Sequence, residues 1–173
     1  MKIVIISLVC FLSSCSLYSQ SNLVKGGKFI SLKYGFSKYS VPTYFNVDYG
    51  FSFKDKMVLR ASAFFEHGTV GSTKFNIPGL AADFSYNVFG IKNRLFGNLS
   101  LGGFSALELL SSDRNSSLGI TQFIFGGKAS AELDLILSRR FSLKYEFSHY
   151  YAHKSQLGNW YYTNTLGLCF ILN

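Results

Sequence analysis

The sequence predicts an all-β protein: an eight-stranded antiparallel up-and-down barrel whose strands cross a membrane. Three observations predict it. Eight segments alternate apolar and polar residues, so each would present one oily and one polar face, as strands do. The segments are about ten to sixteen residues long, whereas strands of water-soluble domains average about five or six and tilted membrane strands need about nine to eleven. Their connections alternate between short and long, the pattern of outer-membrane barrels. The chain has 173 residues, 17% aromatic and only 15% charged, with two prolines. That is too apolar for a disordered chain and rich in strand-favouring residues.

Residues 1–19 read as an export signal. Lys2 is followed by an apolar run, Ile3-Val4-Ile5-Ile6-Ser7-Leu8-Val9-Cys10-Phe11-Leu12, too short to span as a helix. Cleavage after Leu17-Tyr18-Ser19 frees Gln20. Leu12-Ser13-Ser14-Cys15 resembles a lipoprotein box and offers the alternative of a lipidated Cys15, worth about 0.8 kcal/mol per buried methylene. Residues 20–27 form a short lead. Beyond the signal only Cys169 remains, which excludes an intramolecular disulfide in the mature chain.

The first strand is placed at 28–37 and the second at 43–54, where Phe45, Val47, Tyr49, Phe51 and Phe53 oppose Asn46, Asp48, Gly50 and Ser52. The third, 56–67, sets Met57, Leu59, Ala61, Ala63 and Phe65 against Arg60, Ser62 and Glu66. The fourth, 78–90, sets Leu80, Ala82, Phe84, Tyr86 and Val88 against Asp83, Ser85 and Asn87. The fifth, 95–109, is looser, like the first. The sixth, 121–136, opposes Phe123, Phe125, Ala129, Ala131, Leu133 and Leu135 to Lys128, Ser130, Glu132 and Asp134. The seventh, 141–154, has Phe141, Leu143, Tyr145, Phe147 and Tyr151 on one face and Ser142, Lys144, Glu146 and Ser148 on the other. The eighth, 160–172, opposes Leu166, Leu168, Phe170 and Leu172 to Thr163, Thr165, Gly167 and Cys169. Tight turns fall at 54–56, 90–93 and 137–140; longer loops at 38–42, 68–77, 110–120 and 155–159. The long loops would face outside and both termini the periplasm.

The polar face carries seven of the nine acidic residues (Asp48, Glu66, Asp83, Glu108, Glu132, Asp134 and Glu146) together with Lys33, Arg60, Lys128 and Lys144. In an eight-stranded barrel this face lines a lumen just wide enough to be filled by side chains. Pairing offsets the loss of water, so the expectation is a structural ionic plug; an ion or proton path and the solvated surface of a soluble protein are the alternatives.

Net charge is +8. The remaining basic residues crowd the short turns: Lys54, Lys56, Lys92, Arg94, Arg139 and Arg140. They suit acidic groups of inner-leaflet phospholipids. Without interleaved aromatics on one exposed face, direct nucleic-acid binding is not expected. Tyr44, Phe45, Tyr150, Tyr151, Trp160, Tyr161 and Tyr162 are expected to mark a rim at the headgroup level, where apolar rings with polar tips belong.

No catalytic, cofactor or metal site is predicted. His149 and His153 share an outward face roughly 13 Å apart at strand rise, too far for one ion, and His67 lies on another strand. Gly102-Gly103 and Gly126-Gly127 fall inside strands, so they form no phosphate loop. His153-Lys154-Ser155 resembles the rim His and Ser of outer-membrane lipid A deacylases of the PagL type, with His153 as base and Ser155 as nucleophile. Gln156-Leu157 departs from the Asn-Ala of those enzymes, and no acid follows Glu146. This is the enzymatic alternative; a general small barrel or adhesin is the third.

Thr165-Leu166-Gly167-Leu168-Cys169-Phe170-Ile171-Leu172 resembles the C-terminal signal read by the barrel-assembly machinery, implying that machinery as a partner. Tyr44-Phe45-Asn46 with Gly50-Phe51, Ile77-Pro78, Phe123-Ile124-Phe125-Gly126-Gly127-Lys128, Leu137-Ser138-Arg139-Arg140-Phe141 and Leu166-Gly167-Leu168-Cys169-Phe170 resemble the conjugative-transposon TraO family of Bacteroidetes. The chain departs from that family at Arg139, Cys169 and the final residue. The resemblance implies a small outer-membrane barrel of OmpA/OmpX-like architecture. It further implies a non-enzymatic structural or assembly component of a conjugative transfer apparatus, with outer-membrane lipid and other conjugation or envelope proteins as partners.

Overall fold

The structure is a computed structural model that describes residues 25–38, 43–92, 94–112 and 120–172. The signal, Cys15, Gln20 and most of the lead lie outside the described residues. Eight strands follow in order: β1 (Lys28–Ser37), β2 (Thr43–Lys54), β3 (Met57–Val70), β4 (Thr73–Ile91), β5 (Leu95–Ser112), β6 (Ile120–Ile136), β7 (Phe141–His153) and β8 (Trp160–Leu172). Each pairs antiparallel with the next, and β1 pairs with β8, so the sheet closes. Closure leaves no unpaired strand edge, the condition that lets a β-structure sit in hydrocarbon.

The alternation settles which face is which. Leu101 is 70% exposed and Leu80 63%, whereas Arg60, Lys33 and Glu146 are buried. The oily face points outward and the charged face inward on every strand, the inverse of a soluble sandwich. The fold expected from the sequence is the fold found.

Strand limits differ at one end of the barrel. The segment 68–77 is not a loop: β3 runs to Val70 and β4 starts at Thr73, leaving Gly71-Ser72 as the connection. Gly71 holds φ 61°, a left-handed backbone that glycine adopts without cost. β5 likewise extends to Ser112 and β6 begins at Ile120. The wall formed by β3, β4, β5 and β6 therefore stands taller than the wall formed by β7, β8, β1 and β2. Pro78 sits within β4, and β4–β5 pairing is interrupted at Ile77 and Pro78, where the missing N–H cannot bond. At the opposite end β4 runs to Ile91, so that short turn begins at Lys92.

Candidate functional site

The chemistry of this chain is concentrated in its lumen, which is filled in two tiers. In the ionic tier β1 supplies Lys33, β2 Asp48, β3 Arg60, β4 Asp83, β6 Lys128, Glu132 and Asp134, and β7 Lys144 and Glu146. Arg60 is the hub. Its Nε donates to Asp83 at 2.6 Å, its Nη1 to Glu132 at 2.7 Å and to Glu146 at 3.3 Å, and a second terminal nitrogen to Ser100 at 2.9 Å. Lys33 meets Asp48 at 2.6 Å and Glu132 at 3.2 Å, and also bonds Glu146. Lys128 bridges Asp83 at 3.1 Å and Glu146 at 2.9 Å; Lys144 meets Glu132 at 2.8 Å.

Glu132 and Glu146 stand directly opposite each other on β6 and β7. Like charges so placed repel, and Arg60 and Lys33 resolve this by each contacting both. The tier holds four cations and five carboxylates. Space for it comes partly from glycine. A Cβ on Gly167 would lie 2.3 Å from the Leu32 carbonyl oxygen and 2.6 Å from Cγ of Lys33.

Above the ionic tier, toward the tall wall, lies a tier that sequence reading missed. Tyr44, Phe64, Phe75, Ile77, Phe104, Ile124, Tyr150 and Tyr161 point inward and are buried together. Tyr150 and Tyr161 stack with ring centroids 4.7 Å apart, Phe104 meets Tyr150 edge-on at 5.3 Å, and Tyr44 lies over Phe64 at 5.8 Å. These are favourable aromatic geometries. The Tyr44 and Tyr150 hydroxyls bond at 3.0 Å, and the ammonium of Lys128 lies 5.9 Å from the Tyr150 ring, joining the tiers.

The expected aromatic rim is thus corrected in three of its seven members. Phe45, Tyr151, Trp160 and Tyr162 face outward, but Tyr44, Tyr150 and Tyr161 fill the lumen. The signal was present. Tyr44-Phe45, Phe64-Phe65, Tyr150-Tyr151 and Tyr161-Tyr162 are doublets, and alternation sends one ring of each pair inside.

A cap closes the tall end. Glu108 accepts from the Ser155 hydroxyl at 2.6 Å and from the Gln156 backbone N–H at 3.0 Å. Leu157 packs against the aromatic tier. The segment 155–159 is therefore folded over the mouth. Near the same cap the Ser37 hydroxyl donates to Glu66 at 2.5 Å.

The candidate pair His153 and Ser155 is not assembled as a nucleophile and base. The Ser155 hydroxyl donates its hydrogen bond to Glu108, and the exposed His153 ring packs on Phe125 at 5.3 Å. Glu108 is an acid beside Ser155 that lies far upstream in sequence, so a search downstream of Glu146 could not find it. His149 stacks on Trp160 at 5.3 Å, and Nδ1 of His67 bonds Asn76 at 2.8 Å. No group of three or more metal-ligating side chains occurs among the described residues.

No protein-family model matches the chain, and no curated protein matches it. Solved structures do. The N-terminal β-barrel domain of Pseudomonas aeruginosa OprF superposes with a TM-score of 0.68 at 17% identity, over 86% of this chain and 98% of that one. Ail, the attachment invasion locus protein of Yersinia pestis, gives 0.61 at 16% over 86% and 100%. Neisserial surface protein A gives 0.62 at 13% over 83% and 95%. At these identities the likeness establishes the fold: a small eight-stranded barrel of the kind found in outer membranes.

Proposed function

We propose that this protein is a non-enzymatic outer-membrane barrel of a Gram-negative bacterium that serves as a structural or assembly component of a TraO-like conjugative transfer apparatus. The observation that carries the non-conducting part is the filled lumen; the non-enzymatic part rests on Ser155 donating to Glu108 while the His153 ring packs on Phe125. Four basic side chains are clamped among five carboxylates, roofed by stacked aromatics and by the 155–159 cap. A lumen so filled holds the barrel rigid and offers no water path. The conjugative part rests on the sequence resemblance, above all Phe123–Lys128 and the Leu137–Phe141 turn. The exterior of leucine and phenylalanine supplies lipid as the surrounding partner, and the β8 ending supplies the contact for barrel assembly.

Deletion in a donor strain tests the reading. Mating frequency should fall by orders of magnitude and be restored by the gene in trans. Unchanged transfer overturns the conjugative assignment. Lipid A acylation unchanged by Ser155→Ala, read by mass spectrometry, is expected alongside; loss of deacylation in that variant overturns the non-enzymatic one.

A further inference from the structure

The short-turn end of the barrel is strongly basic around its whole circumference. The β2–β3 turn carries Lys54 and Lys56, the β4–β5 turn Lys92 and Arg94, and the β6–β7 turn Arg139 and Arg140. The fourth quadrant, where β8 ends beside the start of β1, carries Lys25 and Lys28. Asp55 is the one acidic residue described in these turns, and it accepts from the Lys25 backbone amide. Seven of the eight basic residues are exposed, and Arg94 is partly so.

One further observation gives this charge a direction: the basic residues sit against the oily band. Exposed Phe53 flanks Lys54, exposed Phe89 and Ile91 precede Lys92, exposed Phe141 follows Arg140, and Lys28 lies opposite Phe51. The charges therefore lie where hydrocarbon gives way to headgroups. A protein or nucleic-acid partner would engage one side; a ring in all four quadrants matches a planar anionic surface through which the barrel passes.

We propose that this end is a basic collar that binds the phosphate headgroups of anionic phospholipids in the periplasmic leaflet. It rests on the reading above that the short turns face the periplasm. Lysine and arginine near such a surface each contribute favourably, and the attraction is screened by salt.

The test uses the full chain folded in neutral detergent, with equimolar phosphatidylglycerol and phosphatidylcholine and native mass spectrometry as the readout. Phosphatidylglycerol adducts should exceed phosphatidylcholine adducts about fivefold or more, the factor one basic contact supplies, and the excess should shrink as salt rises. A Lys54→Gln/Lys56→Gln/Lys92→Gln/Arg139→Gln/Arg140→Gln variant, which keeps Lys25, Lys28 and Arg94, should show a clearly smaller preference than the unaltered protein. Lys38→Gln/Lys74→Gln/Lys154→Gln, at the other end, should keep the preference. Should the collar variant fail to fold, the salt series on the unaltered protein decides. No preference in the unaltered protein, a salt-insensitive preference, an unchanged preference in a folded collar variant, or its loss in the other variant overturns the proposal. Displacement by inorganic phosphate beyond that by chloride at equal ionic strength also overturns it, showing an isolated anion site. Impermeant maleimide should not label Lys92→Cys on intact cells. Labelling overturns the leaflet and the orientation, while the lipid comparison in detergent still reports on the collar's chemistry.

Discussion

Arg60 holds three carboxylates and a serine at once, and its burial makes it the residue on which the lumen turns. Arg60→Met leaves Asp83, Glu132 and Glu146 short of positive charge in a site buried from bulk solvent. Breaking a buried pair in this way costs about 3–5 kcal/mol. Urea unfolding of protein refolded into phospholipid vesicles measures it; a change within about 0.5 kcal/mol, the level of an ordinary surface change, refutes the hub role. Arg60→Lys should cost less than Met but remain destabilising. One ammonium cannot reproduce the planar fork that serves Asp83 through Nε and Glu132 through Nη1. Which charged residues enter the lumen was readable from alternation alone: Lys33, Asp48, Arg60, Asp83, Lys128, Glu132, Asp134, Lys144 and Glu146 all lie there. Their partners were not. Pairing across the barrel, such as Lys33 with Glu132, depends on closure and on side-chain reach, and no local pattern encodes either.

Elements carry the next level of organisation, and here the sequence was partly misleading. Gly68, Gly71, Ser72, Thr73, Asn76 and Pro78 look like loop composition, yet all but Gly71 and Ser72 lie in strands. Turn-forming residues mark where a chain can bend; β3 and β4 instead continue as each other's partners, and cross-strand bonding outweighs weak local preference. The 155–159 segment shows the opposite case. Nothing in Ser155-Gln156-Leu157 announces a cap, because its anchor, Glu108, comes from β5. A hydrogen bond to a charged group contributes about 1.5–3 kcal/mol. Ser155→Ala combined with Leu157→Ser should therefore release the segment without unfolding the barrel. Limited proteolysis should cut between Lys154 and Trp160 in the variant and spare the unaltered protein, while both show the same heat-dependent gel migration. Equal resistance of both chains would show that the cap is held by something other than Glu108 and the aromatic tier.

At the scale of the whole molecule the arrangement is inside-out: ions and stacked rings within, hydrocarbon without. Two consequences follow. The first concerns conduction. The aromatic and ionic tiers lie one above the other, so opening either alone leaves the lumen blocked. Planar-bilayer recording should show no stepwise conductance for the unaltered protein or for a Phe64→Ala/Phe104→Ala variant; steps in either refute the filled-lumen reading. The second concerns the outer face. Leu101 lies six residues above the start of β5, roughly 15 Å up the barrel axis for a strand tilted about 40°. That places it near the middle of an apolar band about 25 Å tall. On a water-facing sheet Leu101→Arg would change stability by no more than about 0.5 kcal/mol. Facing lipid at mid-depth it should cost about 2–4 kcal/mol, falling toward zero for the same change near either interface. Reversible unfolding from vesicles gives the value directly, with Val88→Arg, beside the short-turn end, as the shallow comparison. A depth-dependent penalty requires hydrocarbon around the strands. Equal, negligible costs at both positions would mean that water bathes the leucines and phenylalanines, and the membrane reading of the exterior would fall with them.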